Sequence, residues 1–415
     1  MFSGPVVDCR MVDMTDPIRV LLLTHNYPRY QGDSSGVFLS LLARSLVPHG
    51  IEPIVLTPHD AGVPESDLDG SIKIRRFRYA DDTQETLAYR GNMHQLVLGS
   101  LNGPWRFRQF LATFEQATER VIADEQIDLI WGHWLVPAGI VLKRLSKRHQ
   151  LPLLLSSHGS DIRLVSKYRF FAWPYFKPLV PELSGWTVVS SFLREQLTAL
   201  DARLESLISV LPLPHDEHLF YRDPLIQRDP NLVVAVTRFT DQKRVNKLIS
   251  AFKLVCDAHP PARLDIYGAG PLESDISAQI ETLGLTKSVR IMSPVTQSEL
   301  AAVYNKAGIA VLNSVNEGFG LALSEAMLCG AAVIGVKSGG ITDIITNGET
   351  GLLAPPDDPE QLAACLLQML REQTLRERLA VAGHTAATER YASGPLAGRY
   401  ADLIRRTAAE GKSSH

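Results

Sequence analysis

The feature that most restricts what this chain can fold into is the regular alternation of short apolar runs with longer amphipathic stretches. IRVLLLT (18–24), IEPIVLT (51–57), IKIRRFRY (72–79), DLIWGH (128–133), PLLLSSH (152–158) and WTVVS (186–190) all read as strands, with helix-like segments between them. Near-continuous apolar strands suit a sheet buried on both faces, which in practice means a parallel sheet with helical crossovers. The pattern breaks into prolines and charges at LPLPHDEHLFYRDPLIQRDP (211–230), the best linker candidate. A second series then begins with LVVAVTR (232–238), LDIYGAG (264–270), VRIM (289–292), IAVLN (309–313), AAVIGV (331–336) and GLLAP (351–355). Asp358 followed by Pro359 marks a helix start, the acid as N-cap and the proline at the first helical position. The expected fold class is α/β, with two doubly wound domains joined by that linker. Ligands of such sheets bind beyond the carboxyl ends of the strands, so those loops carry the functional reading.

Composition excludes several classes. At 415 residues the chain is too long for one ordinary domain. Apolar residues at 45% and charged ones at 21% are ordinary for a globular protein, and a net charge of −3 gives no general affinity for nucleic acid. Four scattered cysteines fit a reducing compartment better than a disulfide frame. No run reaches membrane-spanning length, and the first 17 residues lack the apolar segment of a signal peptide, so a disordered lead-in over 1–17 and a cytoplasmic location are expected.

One block stands out chemically. NEGFGLALSEAMLCG (316–330) follows a buried strand and places Glu317 on the ligand-side loop and Glu325 inside a short helix stopped by Gly330. Eight residues of helix separate two side chains by roughly 12 Å. A glycosidase pair needs about 5–9.5 Å, so two contacts to one long ligand fit better. Basic residues Arg238 and Lys243 stand at the end of the second series' first strand, in a charged turn. Gly268 and Gly270 follow the next strand, but Glu273 stands where a dinucleotide fingerprint has its third glycine. The DLD triplet (67–69) is read as a chance match in a polar turn, and no metal is expected. Arg163, Lys167, Arg169 and Lys177 alternate with aromatic side chains, a mixture that suits either an anionic membrane surface or a core helix with solvated ends.

Taken together, E-G-F-G-x4-E-A-M-x-x-G, the R-x4-K of VTRFTDQK and the G-x-G-P of IYGAGPLES resemble the retaining nucleotide-sugar glycosyltransferases of glycosyltransferase family four, of GT-B fold. The resemblance is strongest over 232–356 and extends back to about Ile18. It implies two Rossmann-like doubly wound domains facing across a cleft, an N-terminal acceptor domain (18–218) and a C-terminal nucleotide-sugar domain (219–385), with a final helix (386–415) packing back on the first. It implies that the amides of Gly320, Leu321 and Ala322 hold phosphate, that Glu325 accepts from ribose hydroxyls, and that Glu317 contacts the transferred sugar. The resemblance further implies that Arg238 and Lys243 face the leaving diphosphate, whose developing charge needs fixed cations. It implies that His158 and Asp161 in SSHGSDI lie at the substrate as in the family's catalytic loop, and that Gly36 of the glycine loop, Gly268, Gly270, Gly339 and Gly340 leave room for close backbone approach to ligand. His133 in WGHWLVPAG has an equally good position and is read as structural or acceptor-lining. Arg244 departs from the family's glycine, and Leu213 and Pro214 depart from its P-N-G-V-D turn.

The expected activity is hexosyl transfer, retaining and metal-independent, from a nucleotide sugar such as a UDP- or GDP-sugar to a glycan, lipid-linked or small-molecule hydroxyl. No cofactor is expected, no nucleic-acid partner, and peripheral membrane contact through 163–177. The alternatives are a sugar-nucleotide 2-epimerase of the same architecture and a non-catalytic nucleotide-sugar-binding subunit.

Overall fold

The computed structural model describes residues 17–33, 35–89 and 93–413; of the expected lead-in, all but Pro17 lies outside them. The first sheet contains β1 (Ile18–Leu23), β2 (Ile51–Pro58), β3 (Ser66–Asp69), β4 (Ile72–Phe77), β5 (Leu129–His133), β6 (Leu153–Ser157), β7 (Gly185–Val188) and β8 (Ile208–Val210). Its order is β3-β4-β2-β1-β5-β6-β7-β8. Every pairing is parallel except β3 with β4. The second sheet contains β9 (Asp229–Val236), β10 (Arg263–Tyr267), β11 (Val289–Met292), β12 (Ala307–Leu312), β13 (Ala332–Val336) and β14 (Leu352–Ala354), in the order β11-β10-β9-β12-β13-β14, all parallel.

Both sheets are doubly wound, with helices on both faces, and in each the strand order reverses beside the first strand. β1 pairs with both β2 and β5, and β9 with both β10 and β12. The crevice at such a reversal is where a doubly wound sheet binds its ligand. The loops after β1, β5, β9 and β12 therefore mark the candidate site.

Two short elements were hidden in the sequence. The DLD triplet is no turn but an edge strand, antiparallel to β4, with Tyr27 and Ser40 donating to Asp69 Oδ2 at 2.8 and 2.6 Å. β8 is three residues long and carries too few side chains for a visible period. The basic-aromatic stretch folds as two short helices, Ser160–Lys167 and Arg169–Phe176.

The chain crosses between the lobes twice. It leaves the first through the linker at Leu211–Phe220 and returns at Ala392, after the helix Gln373–Tyr391. The two crossings touch: His215 donates its backbone N–H to Tyr391 O at 2.8 Å and bridges to Ala392. The final helix, Ser393–Ser413, then buries Leu396, Tyr400, Ala401 and Ile404 against Val20, Leu22, Leu39 and Leu42 of the first lobe. Buried Tyr400 donates its hydroxyl to the linker carbonyl of Leu211 at 3.1 Å, with that of Pro212 at 3.2 Å. Tyr400→Phe removes the only donor from this pair of contacts and should cost about 1–2 kcal/mol. Urea unfolding of the two proteins checks this, and an unchanged midpoint would show that the helix does not anchor the linker.

Candidate functional site

The carboxyl ends of the two sheets meet. Gly159, in the loop after β6, faces Gly318, in the loop after β12, so closely that a Cβ on Gly159 would lie 3.1 Å from Gly318 Cα and one on Gly318 would lie 3.0 Å from His158 O. Buried Ser190, the N-cap of the helix Ser191–Thr198, accepts from Leu193 N–H and donates across the cleft to Gly318 O at 2.6 Å. The N–H of Ser191 donates to Asp343 Oδ2 at 2.5 Å. Arg163 also reaches across, donating to Gln242 Oε1. The cleft is thus closed over the loops that carry His158 and Glu317.

On the second-lobe side, Glu317 and Lys243 form an ion pair at 2.5 Å, each side chain 15% exposed. They converge from β12 and β9, which are neighbours in the sheet. Arg238, also from the end of β9, is exposed. Arg244 does not join the cations. It occupies a left-handed conformation (φ 50°) that favours glycine, and its guanidinium pairs with Asp357 at 3.3 Å. Gly320, with φ 113°, turns the chain into the helix Leu321–Leu328, whose first N–H groups have no intrahelical acceptor, an end of the kind that suits an anion. Glu325 lies in this helix beside buried Tyr304, whose hydroxyl is 3.5 Å from its carboxylate. Burial pushes the Glu325 carboxyl up to about 8.

On the first-lobe side, three histidines gather. His25 follows β1, His133 ends β5 and His158 follows β6. The Trp134 ring lies 4.6 Å from His25 and 4.5 Å from His158, and its backbone is held at φ 67°, a strained value for a bulky residue. Burial pushes His25 down to about 4 and His158 to about 3, so these rings are neutral at physiological pH.

The structure changes the roles of several residues. Asp161 was expected at the substrate, but it is 3% exposed and its carboxylate is fully engaged. Oδ1 accepts from the N–H of His158 and Gly159, and Oδ2 from Leu135 N–H at 2.8 Å. It stitches the loops after β5 and β6 together. The glycines expected to leave room for ligand are needed first by the chain itself. A Cβ on Gly36 would lie 2.3 Å from Asn26 O, and on Gly268 1.8 Å from Thr237 O. Gly268 and Gly270 thereby seat the loop that carries Arg238, while Gly339 and Gly340 pack in the same way on Glu317 and Gly318. Sequence reasoning missed Ser190 and His25, although both follow strands at the carboxyl edge. Among the described residues one further group, His59, Asp82 and Glu85, gathers ligating atoms. Its histidine already bonds Glu85 Oε2 at 2.5 Å and Val63 O at 2.7 Å.

A cleft between two doubly wound lobes, each giving the carboxyl end of its sheet, is the architecture of the GT-B transferases. Solved structures agree. Sucrose-phosphate synthase from Thermosynechococcus elongatus superposes with a TM-score of 0.75 over 95% of this chain and 100% of its own, at 21% identity. The Anabaena protein HepE in complex with UDP-glucose superposes at 0.67 over 94% of this chain and 100% of its own, at 17% identity. Residues 35–217 match glycosyltransferase family 4, and residues 219–385 match glycosyl transferases group 1. Among curated proteins, an uncharacterised glycosyltransferase of Methanocaldococcus jannaschii is 28% identical over 63% of this chain and 70% of its own. The N-acetyl-alpha-D-glucosaminyl L-malate synthase of Bacillus anthracis is 23% identical over 66% and 74%. The chain belongs to this family of glycosyltransferases.

Asp161 gives this subsection its test. Asp161→Asn keeps the shape but loses the charge and turns an amide N–H₂ toward at least one backbone donor. It should destabilise the protein by at least about 2 kcal/mol, because hydrogen bonds to charged groups contribute about 1.5–3 kcal/mol. Wild-type stability in urea would show that these loops do not depend on the carboxylate.

Proposed function

We propose that this glycosyltransferase moves a sugar, with retention, from a nucleotide sugar to a hydroxyl of a glycan or lipid-linked acceptor, without a metal. The observation that carries this is the convergence of Lys243, Glu317 and the amino end of the helix Leu321–Leu328 on one end of the cleft. A sugar diphosphate presents both charges that such a site would recognise. Its phosphates would take the helix amides with Arg238 and Lys243, and its sugar hydroxyls would donate to Glu317. HepE, of similar fold, is described with UDP-glucose. Neither nearby carboxylate is placed as a nucleophile, since Glu317 is paired with Lys243 and Asp161 is engaged by backbone. A front-face displacement assisted by the departing phosphate fits that arrangement. Fixed cations and the helix end would offset the diphosphate charge. A panel of nucleotide sugars and acceptors, run with excess chelator and followed by nucleotide release, tests this reading. Acceptor-dependent release that survives chelation is expected. Release with an altered free sugar and no acceptor would indicate an epimerase, and no turnover with any pair a binding subunit.

The two glutamates should respond differently. Glu317→Ala frees Lys243 from its partner, so bare nucleoside diphosphate should bind equally well or up to about fivefold tighter, the scale of a part-exposed ion pair, while transfer is impaired. Burial holds the Glu325 carboxyl up at about 8, so near neutral pH it favours its protonated form. Ribose hydroxyls donating to it favour the carboxylate and lower that pKa, so binding should release protons between about pH 6 and 8. Calorimetry in buffers of different ionisation enthalpy reads this directly. Proton uptake, or release that persists in Glu325→Gln, would remove Glu325 from the nucleotide.

The lipid-linked choice rests on exposure. Trp173 and Phe176 are buried, but Phe170 and Phe171 are 76% and 86% exposed, beside exposed Lys167 and Arg169. Leu98 and Leu101, before the helix Gly103–Asp124, and Trp105 in its first turn are also exposed. Arg163 turns instead toward the second lobe. An aromatic tip with adjacent cations suits an anionic bilayer. Flotation with anionic liposomes at low salt should recover the protein, and Phe170→Ser with Phe171→Ser should lose it. Equal absence from lipid in wild type would favour a soluble acceptor.

A further inference from the structure

His133 is fully buried and packs on Trp131, so it touches no ligand directly. Its strand nevertheless delivers it to His158. β5 runs parallel to β6 with His133 opposite Ser156, and His158 leaves β6 two residues later. His133 Nδ1 lies 3.2 Å from His158 Nε2, with the two ring planes only 14° apart. This contact is the only hydrogen bond either imidazole makes among the described residues: His133 Nε2 and His158 Nδ1 are buried without partners. Burial holds both rings below the range where they would take a second proton, so each carries one N–H.

That proton count is restrictive. Two N–H groups facing each other would repel, and two bare nitrogens would leave the contact without a hydrogen. Either His133 Nδ1 donates and the proton of His158 sits on its Nδ1, or His158 Nε2 donates and its Nδ1 is bare. The tautomer of His158 is therefore settled jointly with His133. The rings of Trp134 and Phe38, 4.5 and 5.1 Å away, confine the imidazole of His158 but offer no hydrogen bond to orient it.

We propose that His133 is a positioning residue for sugar transfer, holding His158 in one tautomer and one ring orientation at the closed cleft. This rests on the reading above that His158 lies at the reacting sugar. The second-lobe cations bind the donor without His133, so its loss should appear in turnover rather than in nucleotide affinity.

Three substitutions test the proposal. His133→Phe keeps the ring and its packing but deletes the hydrogen bond, and it should lower kcat at least about tenfold. Nucleoside diphosphate affinity by calorimetry should stay within about twofold, because no contact to the donor is lost. His133→Asn, whose amide can reach the position of Nδ1, should recover much of that loss. Imidazole ¹⁵N spectra of the full-length protein, with the His158 signal identified by its loss in His158→Ala, should show one tautomer in wild type and a mixture in His133→Phe. Wild-type kcat in His133→Phe beside an inactive His158→Ala overturns the proposal, as does a His158 tautomer that ignores His133. An active His158→Ala would instead refute the placement of His158 at the reaction, and the spectra would still decide whether His133 orients it.

Discussion

The site depends on the backbone contact between Gly159 and Gly318. Each loop leaves the carboxyl edge of a different sheet, and only hydrogen in place of a side chain lets them approach this closely. The hydrogen bond from Ser190 to Gly318 O fixes the distance. Because His158 precedes Gly159 and Glu317 precedes Gly318 in the chain, that one contact brings residues 159 positions apart to opposite walls of one cleft. A methyl group on either glycine would have to displace backbone, so the separation of the lobes and the spacing of the chemistry are one quantity.

Charge is arranged around this contact with few free groups. Glu317 neutralises Lys243, Asp161 collects three backbone N–H donors, and the first-lobe histidines are kept neutral by burial. The helix end at Gly320 remains as a fixed positive pole that no side chain offsets from within the helix's own first turn. The geometry favours a ligand bearing both anion and hydroxyls over either alone.

Much of the architecture was legible because parallel sheets write a simple code. Runs such as IRVLLLT and IAVLN are buried on both faces and cannot be amphipathic, and Asp358 caps its helix through Gln361 N–H as its position before Pro359 implies. The edge strand holding Asp67 and Asp69 was illegible, since exposed polar residues with no apolar alternation look like a turn. Motif spacing pointed to Glu317, Glu325 and Lys243, but the ion pair between two of them depends on β9 and β12 lying side by side, which no local pattern records. Asp161 is ambiguous in sequence for a related reason. A polar residue after a buried strand serves either ligand or loop, and only its three backbone partners decide between them. Arg244 shows the opposite case: where the family resemblance leads one to expect glycine, the fold keeps a left-handed turn on an arginine and accepts the strain.

The paired crossings at His215 and Ala392 have a kinematic consequence. Two chain segments that join the lobes side by side, tied by a backbone hydrogen bond, define a line, and two bodies linked along a line can swing about it but resist shearing or twisting. The linker is further pinned to the helix Leu321–Leu328, where His215 Nε2 meets Ser324 Oγ at 2.8 Å. The pivot is therefore built into the wall that would receive the anion. A swing about this line would part Gly159 from Gly318 and leave buried His215 beside its axis.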